Sequence, residues 1–234
     1  MTPYQEQKKK QQLMRTRALL FIGLCLVCST NGIAQTDFSD IDARLREIYR
    51  QDQEVRQQWA AIVQTSDVDS IMSYQSRMSR TDSINQAYVF QLLDTHGWPQ
   101  QVSDSAYNAI FLVVDHASIE AQKRYWPFIK EGSQKGDLSK ADAATLQDRM
   151  LMREGKKQIY GTQTQTGQKD GKRICYVWPI EQPAKVDSLR RSVALPPMQE
   201  YLNLFATAGI EAIWDKELTI EQIRQLSTRI IIQK

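Results

Sequence analysis

The sequence predicts a mostly α-helical protein of the α+β class, a single helical domain with one β-hairpin packed on it. Three observations carry this. Over most of the 234 residues, apolar side chains recur three, four or seven positions apart, the spacing of one helix face. One stretch, residues 158–180, changes to a period of two around an Asp-Gly pair, as a hairpin does. No internal repeat or low-complexity linker divides the chain, and the roughly 200 residues after the N-terminal segment are ample for one core.

Residues 1–34 have the pattern of a cleavable secretory signal. Lys8, Lys9, Lys10, Arg15 and Arg17 precede an uncharged apolar run over 18–28, shorter than the roughly 20 residues that span a bilayer. Gly32-Ile33-Ala34 then places small residues for a cut before Gln35, and Met14 offers a more compact start. Val27 is too large for a lipoprotein cut before Cys28. The expectation is an exported chain over 35–234, periplasmic or extracellular, with no membrane span after cleavage. Five of the 30 basic residues and one of the 27 acidic residues lie in this segment, leaving 25 and 26 and a net charge of −1. A near-neutral domain gives no ground for nucleic-acid binding, which needs a clustered positive face. Cys25 and Cys28 fall inside the apolar run, so their C-x-x-C spacing is filler. Cys175 alone remains, and no intramolecular disulfide is possible.

The elements follow in order. Ile41, Leu45, Ile48, Val55, Trp59 and Ile62 form one stripe of a first helix, capped by Asp37 or Ser39, with the polar Asp52 in its seam. Packing against the protein's own core accounts for this stripe better than a partner helix does. A second helix covers 68–94, with a break near Ser79–Asp82, and stops at His96-Gly97-Trp98-Pro99. A third runs from Ser103 to Ala117 and is apolar on several sides, as a central helix is. Ser118 caps a fourth over 119–131 that contains Pro127; Ser139 starts a fifth, closed by Gly155. Strands are expected at 158–165 and 173–180, the second with Ile174, Tyr176 and Trp178 on one face. Helices at 186–193, 197–208 and 219–230 complete the chain, the last with Thr219 and Gln222 as a capping box.

Several phrases then occur together: His96-Gly97-Trp98-Pro99, Asp115-His116-Ala117, Asp148-Arg149-Met150, Gln158-Ile159-Tyr160-Gly161-Thr162-Gln163, and Val186-Asp187 with Arg190, Leu195 and Tyr201. In these the chain resembles the uncharacterised bacterial family called domain of unknown function 6624, over about residues 84–201. The resemblance implies frequent export but no established reaction, substrate or cofactor. It departs from the family pattern twice. Ala194 stands where a glycine usually precedes the leucine, and Asp115 where a glutamine commonly precedes the histidine.

The candidate site is drawn from these phrases. His116 with Asp148 is the first choice for general acid–base chemistry, Arg149 being the electrostatic stabiliser. His96, Arg149, Gln158, Tyr160, Thr162, Gln163 and Arg190 are candidate contacts for a small polar ligand, sugar or peptide in kind. His116 and Glu120 share a face if one helix carries both. No H-E-x-x-H or other tight ligand spacing is present, so no metal set is assigned and the cofactor stays open. Cys175 in an apolar strand is a poor nucleophile. The leading expectation is an exported domain binding a small polar or envelope-derived ligand in a pocket. The alternatives are a hydrolase-type enzyme using His96, His116 and Asp148, metal-assisted or not, and a structural or interaction protein of the envelope using the Ile41–Ile62 stripe. Oligomeric state is not legible.

Overall fold

The structure is a computed structural model that describes residues 39–63, 68–169 and 172–232. The expected signal segment 1–34, the expected Asp37 cap and the expected Asp170-Gly171 turn lie outside the described residues.

The fold is mostly α, with a small sheet. Five helices build its first layer: α1 (Ser39–Val63), α2 (Val68–His96), α3 (Asp104–Asp115), α4 (Ile119–Lys135) and α5 (Lys140–Arg153). Helix α3 is central, as its all-round apolar sequence requires: eight of its 12 residues are buried. Leu45 and Ile48 of α1, Val89 and Leu93 of α2, Ile129 of α4 and Leu146 of α5 close on it, all essentially inaccessible to water. Each such aliphatic side chain contributes about 1.5–3 kcal/mol of burial.

Helix α2 runs unbroken through Ser79–Asp82, where the sequence suggests a break. The Ser83 hydroxyl donates to the Ser79 carbonyl at 2.9 Å, and Arg56 of α1 holds Asp82, so tertiary contact overrides weak local propensity. Gly97 then ends it at φ +71°. Trp98, just beyond, lies flat against Gly132 of α4, where any Cβ would overlap the indole, and its Nε1 donates to Asp137 at 2.9 Å. Ser118 and Ser139 cap α4 and α5 through their hydroxyls. Ser103 instead donates its hydroxyl to Asp42 at 2.6 Å, tying the start of α3 to α1.

The second layer holds β1 (Thr164–Lys169), antiparallel to β2 (Lys172–Val177), with β3 (Ala212–Ile213) parallel on the other side of β2. The hairpin is present, but both strands are shorter than the sequence suggests. Residues 158–163 form a loop, for reasons that involve Asp148. A 3-10 turn (Pro183–Lys185) leads into α6 (Val186–Ser192), α7 (Met198–Thr207) and, after β3, α8 (Ile220–Ile232). Ile174, Tyr176 and Trp178 pack on Ile223 of α8 and on Met152, so the last helix covers most of the apolar hairpin face. The α8 capping box forms as expected: Gln222 Oε1 accepts from the Thr219 N–H, and Thr219 Oγ1 from the Gln222 N–H. Ala194, between α6 and α7, has φ +59°, a left-handed conformation that favours glycine. Among the described residues no helix is long and apolar enough to cross a membrane.

Candidate functional site

Most of the polar residues singled out in the sequence are spent on one another. Asp148 of α5 is fully buried and faces the 158–163 loop. Its Oδ1 accepts from the Ile159 N–H at 2.7 Å, and its Oδ2 from the Thr162 N–H and hydroxyl at 3.1 and 3.0 Å. The Tyr160 N–H, 3.1 Å from both oxygens, adds a further donor. Burial pushes this carboxyl up, and the N–H groups of Ile159, Thr162 and Tyr160 work against that shift. The same carboxylate explains why the loop is not a strand, since its N–H groups are drawn to α5. Gln158 closes the loop on itself, donating to the carbonyls of Gln163 and Trp178 while Oε1 accepts from the Gln163 N–H. Gln163 in turn donates to the Thr145 carbonyl.

Arg190 locks the loop from its other side. It donates to the carbonyls of Pro196, Tyr160 and Gly161 and lies 4.9 Å over the Tyr201 ring. Although Arg190 is completely buried, it makes no ion pair with a carboxylate among the described residues. Three carbonyls and a π-face meet its charge, and burial pulls its pKa down. The Tyr201 hydroxyl donates to the Thr162 carbonyl at 2.8 Å. Gly161, at φ +71°, has no room for a Cβ beside Met198 and Ile180.

A different arrangement surrounds His116, just past the end of α3. Its Nδ1 lies 3.3 Å from Asp52 Oδ1 of α1. Arg56 Nε sits 3.2 and 3.3 Å from the two ring nitrogens. The Arg56 Nη2 reaches Asp82 of α2 at 2.9 Å and Asp52 at 3.3 Å. On the far side Asp115 Oδ2 lies 3.9 Å from His116 Nε2 and accepts from Arg149 Nη1 of α5 at 2.6 Å. Four elements thus meet at one mixed-charge cluster. Its outer side chains, His116, Arg56, Asp82 and Arg149, are 21–27% exposed, whereas Asp52 and Asp115 beneath them are 2% and 6% exposed.

The two inner carboxylates differ. Burial raises Asp52, but the hydrogen bond from His116 and the charge of Arg56 outweigh it and hold the carboxyl below the ordinary value. For Asp115 burial prevails over Arg149 and His116 and pushes the carboxyl up. In this cluster Arg56 Nη1 and Asp115 Oδ1 are buried without a protein partner, as are both polar side-chain atoms of Asn85, one helical turn along α2 from Asp82. Asp52, Asp82 and His116 also each offer a ligand atom within 4.8 Å of the other two, the one such group among the described residues.

The structure therefore brings His116 and Arg149 together but gives His116 a different carboxylate from the one the sequence suggests. No hydrogen bond or ion pair joins Asp148 to His116 among the described residues. His96 is exposed at the end of α2, about 21 Å along the helix from Asp82, and lines a shallow recess with Ile41 and Tyr88. Glu120 belongs to a new helix, because Ser118 caps α4 after α3 has ended. The Tyr160 ring lines a separate cleft of about 230 Å³ with Trp126, Lys130 and Gln134. Sequence reasoning missed Asp52, Arg56 and Asp82. One signal for them was in view: an aspartate in the apolar seam of α1 is buried and must find partners.

The fold and this cluster define a mostly helical α+β domain with a polar site at the junction of its first helices. The chain belongs to a family described as "Family of unknown function (DUF6624)", whose pattern matches residues 39–212 and so takes in α1, α2 and the whole His116 cluster. No curated protein and no solved structure matches it.

Proposed function

We propose that the chain is exported and binds a small polar ligand at the His116 junction. The single observation that carries this is the coexistence of a partly exposed imidazole and two partly exposed guanidiniums with a buried, charge-holding carboxylate, Asp52. A ligand with both donors and acceptors, such as an amino sugar or a short peptide from the cell envelope, suits a cluster of both signs. Export is supported by the basic stretch and apolar run that precede Gln35.

The Asp52–His116 contact favours one second reading, general acid–base hydrolysis, in which Asp52 orients the imidazole and Arg149 steadies developing negative charge. The chain has only two histidines, and His96 lies well outside the cluster. They serve as reporter and control in one titration. Adding N-acetylglucosamine or a dipeptide is expected to shift the His116 ring resonances and leave those of His96 in place. If neither probe moves His116, or if His116→Ala leaves affinity unchanged in a folded protein, the proposal fails.

A further inference from the structure

We propose that Asp52, Asp82 and His116 form a binding site for a divalent transition-metal ion of the Zn2+ type, with Arg56 as the internal cation that the metal displaces. The inference rests on the reading above only in sharing its location; it requires no organic ligand.

The three donors come from α1, α2 and the residue after α3, and their ligand atoms lie within 4.8 Å of one another. Bonds of about 2.0–2.2 Å place two ligands of one zinc ion at most about 4.4 Å apart, so side-chain shifts of tenths of an ångström close the set. One imidazole and two carboxylates suit an ion that takes mixed N/O ligands at low coordination number and leave a position open. Calcium, which takes six to eight oxygens, is poorly served. Arg56 already shows that the spot holds a cation, since its guanidinium touches all three donors at 2.9–3.3 Å. The fit is incomplete, because Arg56 Nη1 has no partner.

Independent observations point to an occupant other than the arginine. Asn85 is one helical turn from Asp82 on the same face of α2; it is 1% exposed, and neither its nitrogen nor its oxygen has a partner. Asp115, also buried, leaves Oδ1 unpartnered while Oδ2 lies 3.9 Å from His116 Nε2. Unpaired polar groups at such depth are costly. An amide one helical turn from Asp82 and a carboxylate 3.9 Å from His116 Nε2 are groups of the kind that orient ligands and bound water around a metal.

The roles separate on Arg56. If the cluster is only a structural ion-pair network, removing the guanidinium creates no metal affinity. If Arg56 holds the place of a metal, its removal strengthens binding. The test is calorimetric titration of the untagged chain with Zn2+ alone. One ion per chain is expected, with affinity reduced roughly tenfold or more in His116→Gln and in Asp82→Asn, increased in Arg56→Gln, and unchanged in His96→Gln. Asp82 is 23% exposed, so Asp82→Asn carries the test should His116→Gln fail to fold. Absence of binding in both the parent chain and Arg56→Gln overturns the proposal. So does binding that survives His116→Gln combined with Asp82→Asn. A His116 resonance that moves with N-acetylglucosamine in a chain that takes no Zn2+ would sink the metal site while leaving the polar-ligand reading intact.

Discussion

The loop knot around Asp148 and the helix junction around His116 are built from the same residue types and end in opposite states. In the knot, Asp148 takes four donors and the Gln158 amide makes three hydrogen bonds; among its buried side-chain polar atoms, Arg190 Nη2 alone lacks a protein partner. At the junction, cations and carboxylates face one another at the edge of solvent, and buried atoms on Arg56, Asn85 and Asp115 lack partners. Saturated polar groups rigidify a fold and have nothing left to offer a ligand. Incompletely satisfied groups with a path to water do. The difference separates residues spent on the fold from those on which the proposed site draws.

The comparison breaks hardest at Asp148. Asp148→Ala strands three backbone N–H groups and a hydroxyl, so a loss of about 3–5 kcal/mol is expected in urea unfolding. Arg190→Met removes the donor from three carbonyls and should cost about 2–3 kcal/mol. At the junction the sharper readout is pH. Because Asp52 is held below its ordinary value of 3.8, the stability it contributes is complete above about pH 4 and is lost as pH falls through the lowered value. Asp115 is raised, so its contribution is full below about pH 4 and is lost as pH rises through the raised value. Melting curves from pH 3 to 7 should therefore show the deficit of Asp52→Asn growing with pH and that of Asp115→Asn shrinking. His116→Gln takes a hydrogen bond from the buried Asp52 carboxylate and should cost about 1–2 kcal/mol, while abolishing the response to polar probes. The smallest effect lies outside both regions. Ala194→Gly relieves a left-handed alanine and should stabilise by about 0.5–1 kcal/mol, raising the Tm by about 1–4 °C.

What the sequence discloses follows from where the partners lie. Helices with local signals are legible: the α1 stripe as far as Val55, the Ser118 and Ser139 caps and the Thr219–Gln222 box stand as read. Ala194, at the place where family resemblance implies glycine, occupies a conformation that glycine prefers. The hairpin is found but displaced, because the 158–163 loop is shaped by a carboxylate on another element. The junction is hidden for the same reason, taken further. Arg56 meets His116 across 60 residues and Asp82 across 26, and no local spacing records either contact. Asp148 and Arg190 attract notice as functional because a buried carboxylate and a buried guanidinium look alike whether they hold a ligand or a loop.

Along α1 the last described buried residue is Val55, and along α2 the first is Asn85. The outer half of α2 carries exposed apolar residues such as Val68 and Met72, and in the outer half of α1 Trp59 and Ile62 are only half-buried. Beyond Asp82 the first 14 residues of α2 extend about 21 Å, while its other end is clamped where Trp98 rests on Gly132. The Arg56–Asp82 contact therefore sits at the root of a two-helix arm. Where burial in the core ends, that ion pair helps to keep the two helices side by side, so residues of the proposed site are also part of what pairs them.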